Sequence, residues 1–451
     1  MRYGRCPAAV LVMLLAAPLA ARAHGVLPFG IDVLRDGEQT VGAMAAYGLL
    51  HREGGVLRWT PEEAMPGLVL WAELLEGGRV LAGTTNGVVS TDDWGCSWQP
   101  VEPLGARMVL ERAVAPDAPA RIYLPTADGV DDALYISADG GRSFARAWTA
   151  DGTVERVAAG PGGRVFVLVV GARAVRYLFT SDDAGQTFAE VAIEGAPVAF
   201  DLVGLTADGQ QPYLAWSLGG GRIGLFRLTD DGPVEVGDFA GSVVARAVEF
   251  GGFRFVLVDR TRLWRAALSG GAPAQVMGGP SFCLEAAPRG GRLWGCGQRD
   301  DGVHFFSTED GQSWQGHLTY AEVCPQVCPD DAPATPLIAQ FWEPVMATGV
   351  GGVDCNAVAD ASVMPDAAVD AAQIDAAPLD AIALDAARGD VGGPVVGIDQ
   401  RGGDGCAVRP GTDTGTRRPR GWWTLALLAV IRAWAGRAAA NRRSGNTESR
   451  A

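Results

Sequence analysis

The sequence contains no lysine. All 37 basic residues are arginines, and with 52 acidic residues the formal net charge at pH 7 is −15. Without lysine the chain forms neither a Schiff base nor a phosphate-binding P-loop. The acidic balance argues against a nucleic-acid ligand, because phosphates are bound by clustered cations. Only four histidines are present, none beside Cys324 or Cys328, which disfavours zinc. We therefore expect no metal and no cofactor.

Turn-forming residues are abundant, with 62 glycines and 27 prolines. Such a composition favours many short strands over long helices. Hydrophobic residues make up 48% of the chain and the mean hydropathy is +0.11, which suffices for a large buried core. No helical periodicity runs through the chain, so an all-β fold is predicted.

The first 23 residues have the three parts of a signal peptide. Arg2 and Arg5 form a basic region, residues 8–20 are apolar, and Ala21-Arg22-Ala23 is a cleavage site before His24. The apolar stretch is too short for a membrane anchor. This pattern predicts export, and hence an oxidising compartment in which cysteines pair.

An octapeptide of the pattern Ser/Thr-x-Asp-x-Gly-x-Ser/Thr-Trp/Phe recurs four times, the last copy with glutamate in place of aspartate. The defining residues are Thr91, Asp93, Gly95 and Trp98; Ser137, Asp139, Gly141 and Phe144; Ser181, Asp183, Gly185 and Phe188; and Ser307, Glu309, Gly311 and Trp314. A motif repeated in phase with short apolar runs indicates a repeat architecture.

A second signal, a Gly-Gly turn followed by arginine and an apolar run, precedes several of these copies. Arg79 and Arg164 begin such runs, and Arg121 begins a copy that lacks the glycines; the three arginines are 42 and 43 residues apart. With one degenerate unit around Pro212-Tyr213-Leu214 and one over residues 41–59, the spacing predicts seven units, as in a β-propeller of four-stranded blades. Six blades remain possible. We expect the propeller to span residues 24–345, with residues 336–345 supplying the strand that closes the ring.

The octapeptide is similar to the Asp-box, or BNR repeat, and residues 26–345 resemble sialidase-like and photosystem-assembly-factor-like propellers. The resemblance implies that each box is the hairpin turn between the third and fourth strands of a blade. There the aspartate can accept backbone hydrogen bonds, the glycine can adopt positive φ, and the aromatic ring can pack on the blade. A box repeated once per blade is typical of a structural device, so no catalytic residue is assigned to it.

Seven cysteines remain after removal of the signal peptide. Cys283 and Cys296 flank a hairpin whose turn would be Arg289-Gly290, so they face each other within disulfide range. Cys324 and Cys328 can close a small loop or pair with Cys96 and Cys355. Cys406, far along the chain, is expected to stay unpaired.

The remainder of the chain is predicted to lie outside the fold. Residues 346–404 form an Asp/Ala-rich segment, and like charges with little apolar content predict a disordered spacer, although a short helix is an alternative. Residues 405–451 resemble the myxobacterial-type C-terminal sorting tail: Gly405-Cys406 precedes a short apolar segment over residues 422–431 and then arginines. That resemblance implies membrane anchoring by the tail, processing at Cys406, engagement of the export and sorting machinery, and cell-surface display.

Two function classes fit these features. The first is a binding module for a glycan or protein ligand at the propeller face. The second is a sialidase-like glycoside hydrolase or lyase, which by its resemblance needs an arginine cluster and a Tyr/Glu nucleophile pair. Tyr320 and Glu322 lie close in sequence, and residues 121–125 faintly resemble an arginine-containing motif of that family, but neither identifies such a site. The non-catalytic binding module is the preferred hypothesis.

Overall fold

The computed structural model describes residues 30–36, 39–45, 47–53, 56–127, 132–279, 281–286, 291–297, 305–318, 323–346 and 355. Within these ranges the chain forms 29 β-strands and one α-helix, and the strands make up seven sheets. The predicted signal peptide, most of the spacer and the sorting tail, including Cys406, lie outside the described residues.

Each blade is a meander of four consecutive strands. The strands are β1–β4 in blade 1 (Gly30–Asp36, Gln39–Ala45, Gly48–Glu53, Val56–Pro61); β5–β8 in blade 2 (Val69–Leu74, Val80–Thr84, Gly87–Thr91, Gln99–Pro100); β9–β12 in blade 3 (Ala113–Ala115, Ala118–Pro125, Ala133–Ser137, Ala145–Thr149); β13–β16 in blade 4 (Thr153–Ala159, Val165–Val170, Arg176–Ser181, Ala189–Val191); β17–β20 in blade 5 (Asp201–Leu205, Pro212–Gly219, Arg222–Thr229, Gly232–Ala240); β21–β24 in blade 6 (Val244–Phe250, Phe253–Val258, Arg262–Ala267, Ala274–Gly278); and β25–β28 in blade 7 (Ser281–Ala286, Leu293–Gly297, Phe305–Thr308, Gln315–Leu318).

The seven-bladed propeller predicted from the repeat spacing is confirmed. Strands adjacent in sequence pair antiparallel, so the turns alternate between two faces of the ring. The first-to-second and third-to-fourth turns lie on one face, and the second-to-third turns lie on the other. Short apolar runs such as Val165–Val170 are buried on both sides because another blade packs against each face.

The core is divided among the seams between blades. Seven clusters of buried side chains each join two neighbouring blades, including blades 7 and 1. At the 7/1 seam Leu50 and Trp59 pack with Trp294 and Phe305. A fully buried side chain of this size contributes roughly 1.5–3 kcal/mol relative to an exposed one. The ring is therefore stabilised by contacts between blades, which no blade can make alone.

The first strand of most blades carries a bulge near its start. In six blades the pairing with the second strand shifts by one residue there, between Gly30 and Asp32, Val69 and Trp71, Val154 and Arg156, Leu202 and Gly204, Val244 and Arg246, and Ser281 and Cys283. A bulge redirects the side chain that follows it. In three blades that residue is charged: Asp32, Arg156 and Arg246.

The prediction that residues 336–345 form the closing strand is wrong. The closing strand is β29, Val323–Pro325, which pairs parallel to the outer strand β4 of blade 1. Residues 336–345 belong instead to helix α1, Thr335–Met346. Proline at the start of a helix is favourable because its fixed φ suits the first turn. The apolar residues Ile338, Phe341 and Trp342 then share one face, and the Trp342 ring lies 5.7 Å from that of Trp59.

Three disulfides are present in the described part of the chain. Cys283 and Cys296 are bridged and face each other across β25 and β26. Of the pairings that the sequence left open for the other four cysteines, the structure has Cys96–Cys328 and Cys324–Cys355. The first of these ties the segment after β29 to blade 2. Among the described residues no helix has the length and apolarity to cross a membrane.

Candidate functional site

The structure places the four octapeptides in the third-to-fourth-strand turns of blades 2, 3, 4 and 7, here called box turns. In blade 2 the Asp93 carboxylate accepts hydrogen bonds from Thr91 Oγ1 at 2.7 Å and from the Ser97 N–H at 2.9 Å. Thr91 Oγ1 in turn accepts the N–H of Gly95, whose φ is +89°. Asp139 and Asp183 make the same contacts in blades 3 and 4. Each carboxylate is used within its own turn.

The assignment of Glu309 as the box carboxylate of blade 7 is wrong. Asp310 takes that role, accepting hydrogen bonds from Thr308 Oγ1 at 2.9 Å and Ser313 Oγ at 2.6 Å. Glu309 instead pairs with Arg292. This box turn is one residue shorter, because the N–H that reaches the hydroxyl comes from the third residue after Thr308, Gly311, and not from the fourth. Ser307, expected to begin the box, contacts the His317 ring.

The arginine of the Gly-Gly-Arg signal explains this register. Arg79 pairs with Asp92 and Arg164 with Asp182, in each case the residue just before the box aspartate. Glu309 is therefore the counterpart of Asp92 and Asp182. The correct register could have been found in the sequence by aligning the two consecutive acidic residues, Glu309-Asp310 with Asp182-Asp183, instead of aligning the glycines.

We expect Asp310→Ala to lower the free energy of unfolding by about 1 kcal/mol, because it removes a charged acceptor from four donors in one turn. Glu309→Ala should change it by less, since an exposed ion pair contributes little. Urea unfolding of the two variants measures the difference. A larger loss for Glu309→Ala contradicts the assignment of Asp310.

The box aspartates are distributed around the ring and are not brought together. The hydrogen bond from the Ser143 side chain, with others in the turn, lowers the pKa of Asp139 to about 2, and the side chain of Thr187 does the same for Asp183. An acid that remains ionised and committed to its own turn is unsuited to proton transfer near neutral pH. The site must be sought elsewhere.

The centre of the ring is lined by charged side chains from the first strands. They are paired with charges of the opposite sign, and six are acidic and five basic: Asp32, Glu73, Glu111, Glu155, Asp201 and Glu285, with Arg35, Arg112, Arg156, Arg176 and Arg246. All but Arg176 lie on a first strand or just before it. Their ion pairs form two groups that differ in exposure.

The more deeply buried group, the Arg112 cluster, consists of Arg112, Arg35, Asp32, Glu73 and Glu285. The Arg112 guanidinium lies 3.2 Å from Asp32, 2.5 Å from Glu73 and 3.4 Å from Glu285. Arg35 lies 3.1 Å from Glu285. Two cations thus face three carboxylates, and the side chains of Arg112 and Asp32 are only 10% and 7% exposed. Because the cluster has one carboxylate more than it has arginines, one carboxylate lacks a full counter-charge.

Asp32 is that carboxylate. Burial raises its pKa to about 7, although Arg112 and the N–H of Ala72 both favour the ionised form. At Glu285 burial acts in the same direction, but Arg112, Arg35 and Arg246 together hold the pKa below its usual value. The cluster therefore keeps a proton on Asp32 up to near-neutral pH.

Because the pKa of Asp32 is raised in the folded state, the folded protein holds a proton that the unfolded chain has released between pH 4 and pH 7. The free energy of unfolding should therefore fall as the pH rises through this range. Asp32→Asn is expected to flatten that fall, as measured by urea unfolding at several pH values. Asp92→Asn serves as the control, since the hydrogen bond from Arg79 lowers the pKa of Asp92 below its usual value, so that Asp92 holds no extra proton in the folded state over this range. An unchanged slope in Asp32→Asn contradicts the assignment.

The second group, the Glu111 cluster, is more open to solvent and consists of Glu111, Arg156, Asp201, Arg176, Glu155 and Arg246. Glu111 lies 3.0 Å from Arg156 and 3.2 Å from Arg246. The Arg246 side chain is 39% exposed. Asp201 and Arg176 begin their strands on the face opposite to the box turns. We call this end of the channel the open end.

Arg260 adds a further cation at the open end. It lies in the turn between β22 and β23, with φ of +55°, next to Asp259, with φ of +54°. Asp259 holds the turn by accepting the N–H groups of Ser242 and Val243. Arg260 is exposed, yet burial and the charge of Arg156 lower its pKa, so it lies in a concave, cation-rich place. Within the described part of the chain its guanidinium makes no hydrogen bond or ion pair.

This channel was not predicted from the sequence. A signal was present, because arginine follows the bulge in both Val154-Glu155-Arg156 and Val244-Ala245-Arg246. In a strand whose other residues are apolar and buried, such charged residues indicate side chains that face the central channel. The partners, however, lie far apart in sequence and could not be assigned.

The Tyr/Glu pair that the hydrolase alternative requires was not assigned from the sequence. Tyr320 and Glu322 lie outside the described residues, whereas Tyr213 donates a hydrogen bond to Glu249. Tyr213 is fully buried, on the box-turn side of blade 5 and away from the open end. Among the described residues no group of three or more His, Cys, Asp or Glu side chains is placed to bind a metal ion.

Comparisons with known proteins find propellers. No family profile and no curated protein matches the sequence. Among solved structures, YCF48 bound to D1 peptide is 12% identical, with a TM-score of 0.39 over 55% of this chain and 81% of that one. An ancestral GH74 enzyme is 14% identical, with a TM-score of 0.48 over 64% of this chain and 46% of that one. PorZ, a surface component of the Porphyromonas gingivalis type-IX secretion system, is 13% identical, with a TM-score of 0.45 over 65% and 38%. This chain thus spans less than half the length of the last two proteins. At these TM-scores none of the three indicates which ligand this chain binds.

Proposed function

We propose that this protein is an exported, surface-displayed binding module, and that the open end of its channel takes an acidic group of a glycan or protein. The signal-peptide pattern and the resemblance of residues 405–451 to a sorting tail support the location. The proposal extends to anchoring through that tail. The ligand chemistry rests on the charges at the open end.

The observation that carries the proposal is Arg260. An arginine held at positive φ occupies a sparsely populated conformation, which persists only where the surroundings impose it. Here Asp259 and Arg260 are the central residues of a tight hairpin turn, which the Thr261 N–H closes onto the Val258 carbonyl and the Asp259 side chain anchors to Ser242 and Val243. At the open end, Arg156, Arg176, Arg246 and Arg260 face only three carboxylates, so one guanidinium remains for a ligand. Guanidinium groups bind carboxylates through paired, charge-assisted hydrogen bonds.

Catalysis is the less favoured function. A glycoside hydrolase requires two carboxyl groups flanking the scissile bond, one of them able to hold a proton at working pH. Asp32 holds such a proton, but it is 5% exposed and lies in the Arg112 cluster. The carboxylates of the Glu111 cluster are instead paired with arginines, an arrangement suited to a fixed electrostatic surface.

The test is binding of the full chain to an array of matched acidic and neutral glycans and peptides, followed by product analysis of every hit. We expect acidic ligands to bind, and Arg260→Gln to weaken their binding about 10- to 100-fold, the effect of losing one charge-assisted contact. Arg173→Gln is the control, because Arg173 also lies in a second-to-third-strand turn at positive φ, in blade 4. Its substitution should leave the affinity unchanged.

Three outcomes contradict the proposal. The first is that neutral ligands bind as tightly as acidic ones, and the second is that Arg260→Gln and Arg173→Gln weaken binding equally. Cleavage of a bound glycan would instead establish the hydrolase or lyase alternative and direct mutagenesis to the carboxylates of the Glu111 cluster.

A further inference from the structure

The box turns do more than close hairpins: each one packs into the seam with the preceding blade. Thr60 of blade 1 donates a hydrogen bond at 2.9 Å to the carbonyl of Trp94 in the box turn of blade 2. Arg265 of blade 6 does the same at 2.8 Å to the carbonyl of Gly311 in blade 7. A Cβ placed on Gly185 would lie 2.6 Å from Ile136 of blade 3. The box turn thus fills the seam and supplies a carbonyl acceptor to it.

Blade 6 has no box turn. Its third-to-fourth turn, residues 268–273, contains no aspartate and reads Leu-Ser-Gly-Gly-Ala-Pro. At the seam with blade 5, where the missing turn would pack, there is a cavity of about 300 Å³. We call it the seam cavity. It is lined by Thr206, Asp208, Gln211, Arg227, Glu249 and Arg254, among others.

The strand registers show that the seam cavity occupies the position of a box turn. In blade 3, Tyr123 and Ile136 are opposed on the second and third strands, and both contact the box glycine of blade 4. In blade 5 the opposed residues at this position are Tyr213 and Arg227. An apolar isoleucine that would receive a box turn is therefore replaced by an arginine.

The acceptors of the seam cavity are already used. Glu249 accepts hydrogen bonds from the Tyr213 hydroxyl and, at 2.9 Å, from the Ala207 N–H. Asp208 accepts the Thr206 hydroxyl at 2.6 Å and the Gln210 N–H at 3.0 Å. Glu249 also pairs with Arg254, at 3.7 Å. Both carboxylates are therefore already held by groups of their own chain.

The donors are not all used. Arg254 donates from Nε to the Tyr213 hydroxyl at 2.9 Å and from Nη1 to the carbonyl of Val236 at 3.1 Å. Arg227 Nε is buried and has no hydrogen-bond partner among the described residues. A buried donor without an acceptor costs about 1–3 kcal/mol, a penalty that an incoming acceptor removes.

We propose that the seam cavity is a binding site for a carboxylate, held by Arg227 and assisted by Arg254. A guanidinium binds a carboxylate through two parallel N–H donors. Arg254 is already paired with Glu249, whereas Arg227 Nε has no hydrogen-bond partner among the described residues. The volume lies at the lower end of the range of small-ligand sites. The site lies on the box-turn face and is independent of Arg260 and the open end.

The carboxylate has two sources to distinguish, a free small acid or an aspartate of residues 360–385 in the chain's own Asp/Ala-rich segment. Residues 360–385 carry six aspartates at near-pentad spacing: Asp360, Asp366, Asp370, Asp375, Asp380 and Asp385. Both sources share the same recognition chemistry. Replacing all six by asparagine in the full chain separates them, since it removes the internal source and leaves the cavity unchanged.

The experiment is titration of the full chain and of the six-asparagine chain with succinate, and with succinamide as the neutral match, followed by calorimetry and by the ¹⁵N resonance of Arg227 Nε. If free acids are the source, both chains bind succinate and the resonance shifts in both. If the segment is the source, only the six-asparagine chain binds succinate, and the Arg227 resonance of the two chains differs without ligand. Succinamide should bind to neither.

Arg227→Gln is expected to weaken succinate binding at least about tenfold, as expected for the loss of a charge-assisted pair. Arg222→Gln, on the same strand but outside the cavity, is the matched control and should bind as the parent does. The proposal is overturned if succinate shifts the Arg227 resonance in neither chain and the two chains do not differ. It is also overturned if succinamide binds as well as succinate, or if Arg222→Gln loses as much affinity as Arg227→Gln. The ¹⁵N resonance of Arg227 Nε is measured in chains that keep Arg227. It therefore tests the proposal even if Arg227→Gln does not fold.

Discussion

Replacing Cys96 and Cys328 together by alanine is expected to lower the free energy of unfolding by about 5 kcal/mol, the loop-closure entropy of so long a loop. The bridge joins residues 232 apart in sequence. It fixes the segment after β29 to the box turn of blade 2, where the Ala334 N–H also donates to the carbonyl of Cys96 at 3.2 Å. Because β29 pairs with β4, this bridge holds the closing strand across the outside of blades 1 and 2. Guanidinium unfolding under oxidising conditions measures the loss.

The matched control is the double replacement of Cys283 and Cys296 by alanine. This bridge spans only 13 residues within one hairpin, so the same entropy argument gives a loss of about 3 kcal/mol. Both double variants remove one bridge and leave no unpaired thiol at the altered positions. An equal or larger loss for the short loop contradicts the view that the long bridge acts by restricting the unfolded chain.

The propeller could be predicted because its repeats are local in sequence. A blade requires a turn, a short apolar run and a tight hairpin, and each leaves a signature within about 43 residues. Even the degenerate blade 5 was placed correctly, since Pro212-Tyr213-Leu214 begins β18 and Thr229 and Gly232 close the hairpin of β19 and β20. The box of blade 7 was misassigned because its turn is one residue shorter, and matching on glycine then shifts the aspartate.

The segment that closes the ring could not be predicted from a local repeat in this way. Residues 336–345 are apolar enough for a strand, and periodicity alone does not separate a short buried helix from a strand. What decides for the helix is the proline at its start and the surface of β4 that Phe341 and Trp342 cover. That surface is visible only once the blade has been assembled.

The charged channel could be predicted from the sequence even less well than the ring closure. Arg112 binds Asp32, Glu73 and Glu285, which are 80, 39 and 173 residues away. Such pairs depend on the closed ring and leave no local pattern. The box aspartates, by contrast, attract attention in the sequence but serve their own turns. In this fold the repeated acidic residues build the scaffold, and the residues that differ from blade to blade line the site.

We expect Arg112→Met to lower the free energy of unfolding by about 3–5 kcal/mol at pH 8, because it leaves buried carboxylates without their shared cation. The loss should shrink as the pH falls. Removing Arg112 raises the pKa values of Asp32 and Glu285 in the folded state, so the folded variant takes up protons that the unfolded chain does not. Uptake of this kind makes the variant less stable as the pH rises, and brings it closer to the parent at pH 5. Urea unfolding of both proteins at pH 5 and pH 8 measures the change.

Two controls separate charge from packing. Arg79→Met removes an arginine from a surface pair with Asp92 and should cost less than about 1 kcal/mol at either pH. The double variant Arg112→Met, Asp32→Asn should recover part of the loss at pH 8, because it removes one of the carboxylates that Arg112 neutralises, and the two substitutions should therefore not be additive. If Arg112→Met loses the same free energy at pH 5 and pH 8 and Asp32→Asn restores none of it, then Arg112 acts through its packing on Trp71, whose ring lies 5.6 Å from the guanidinium carbon. The charge balance inferred for the channel would then be wrong, and with it the excess cation assigned to the open end.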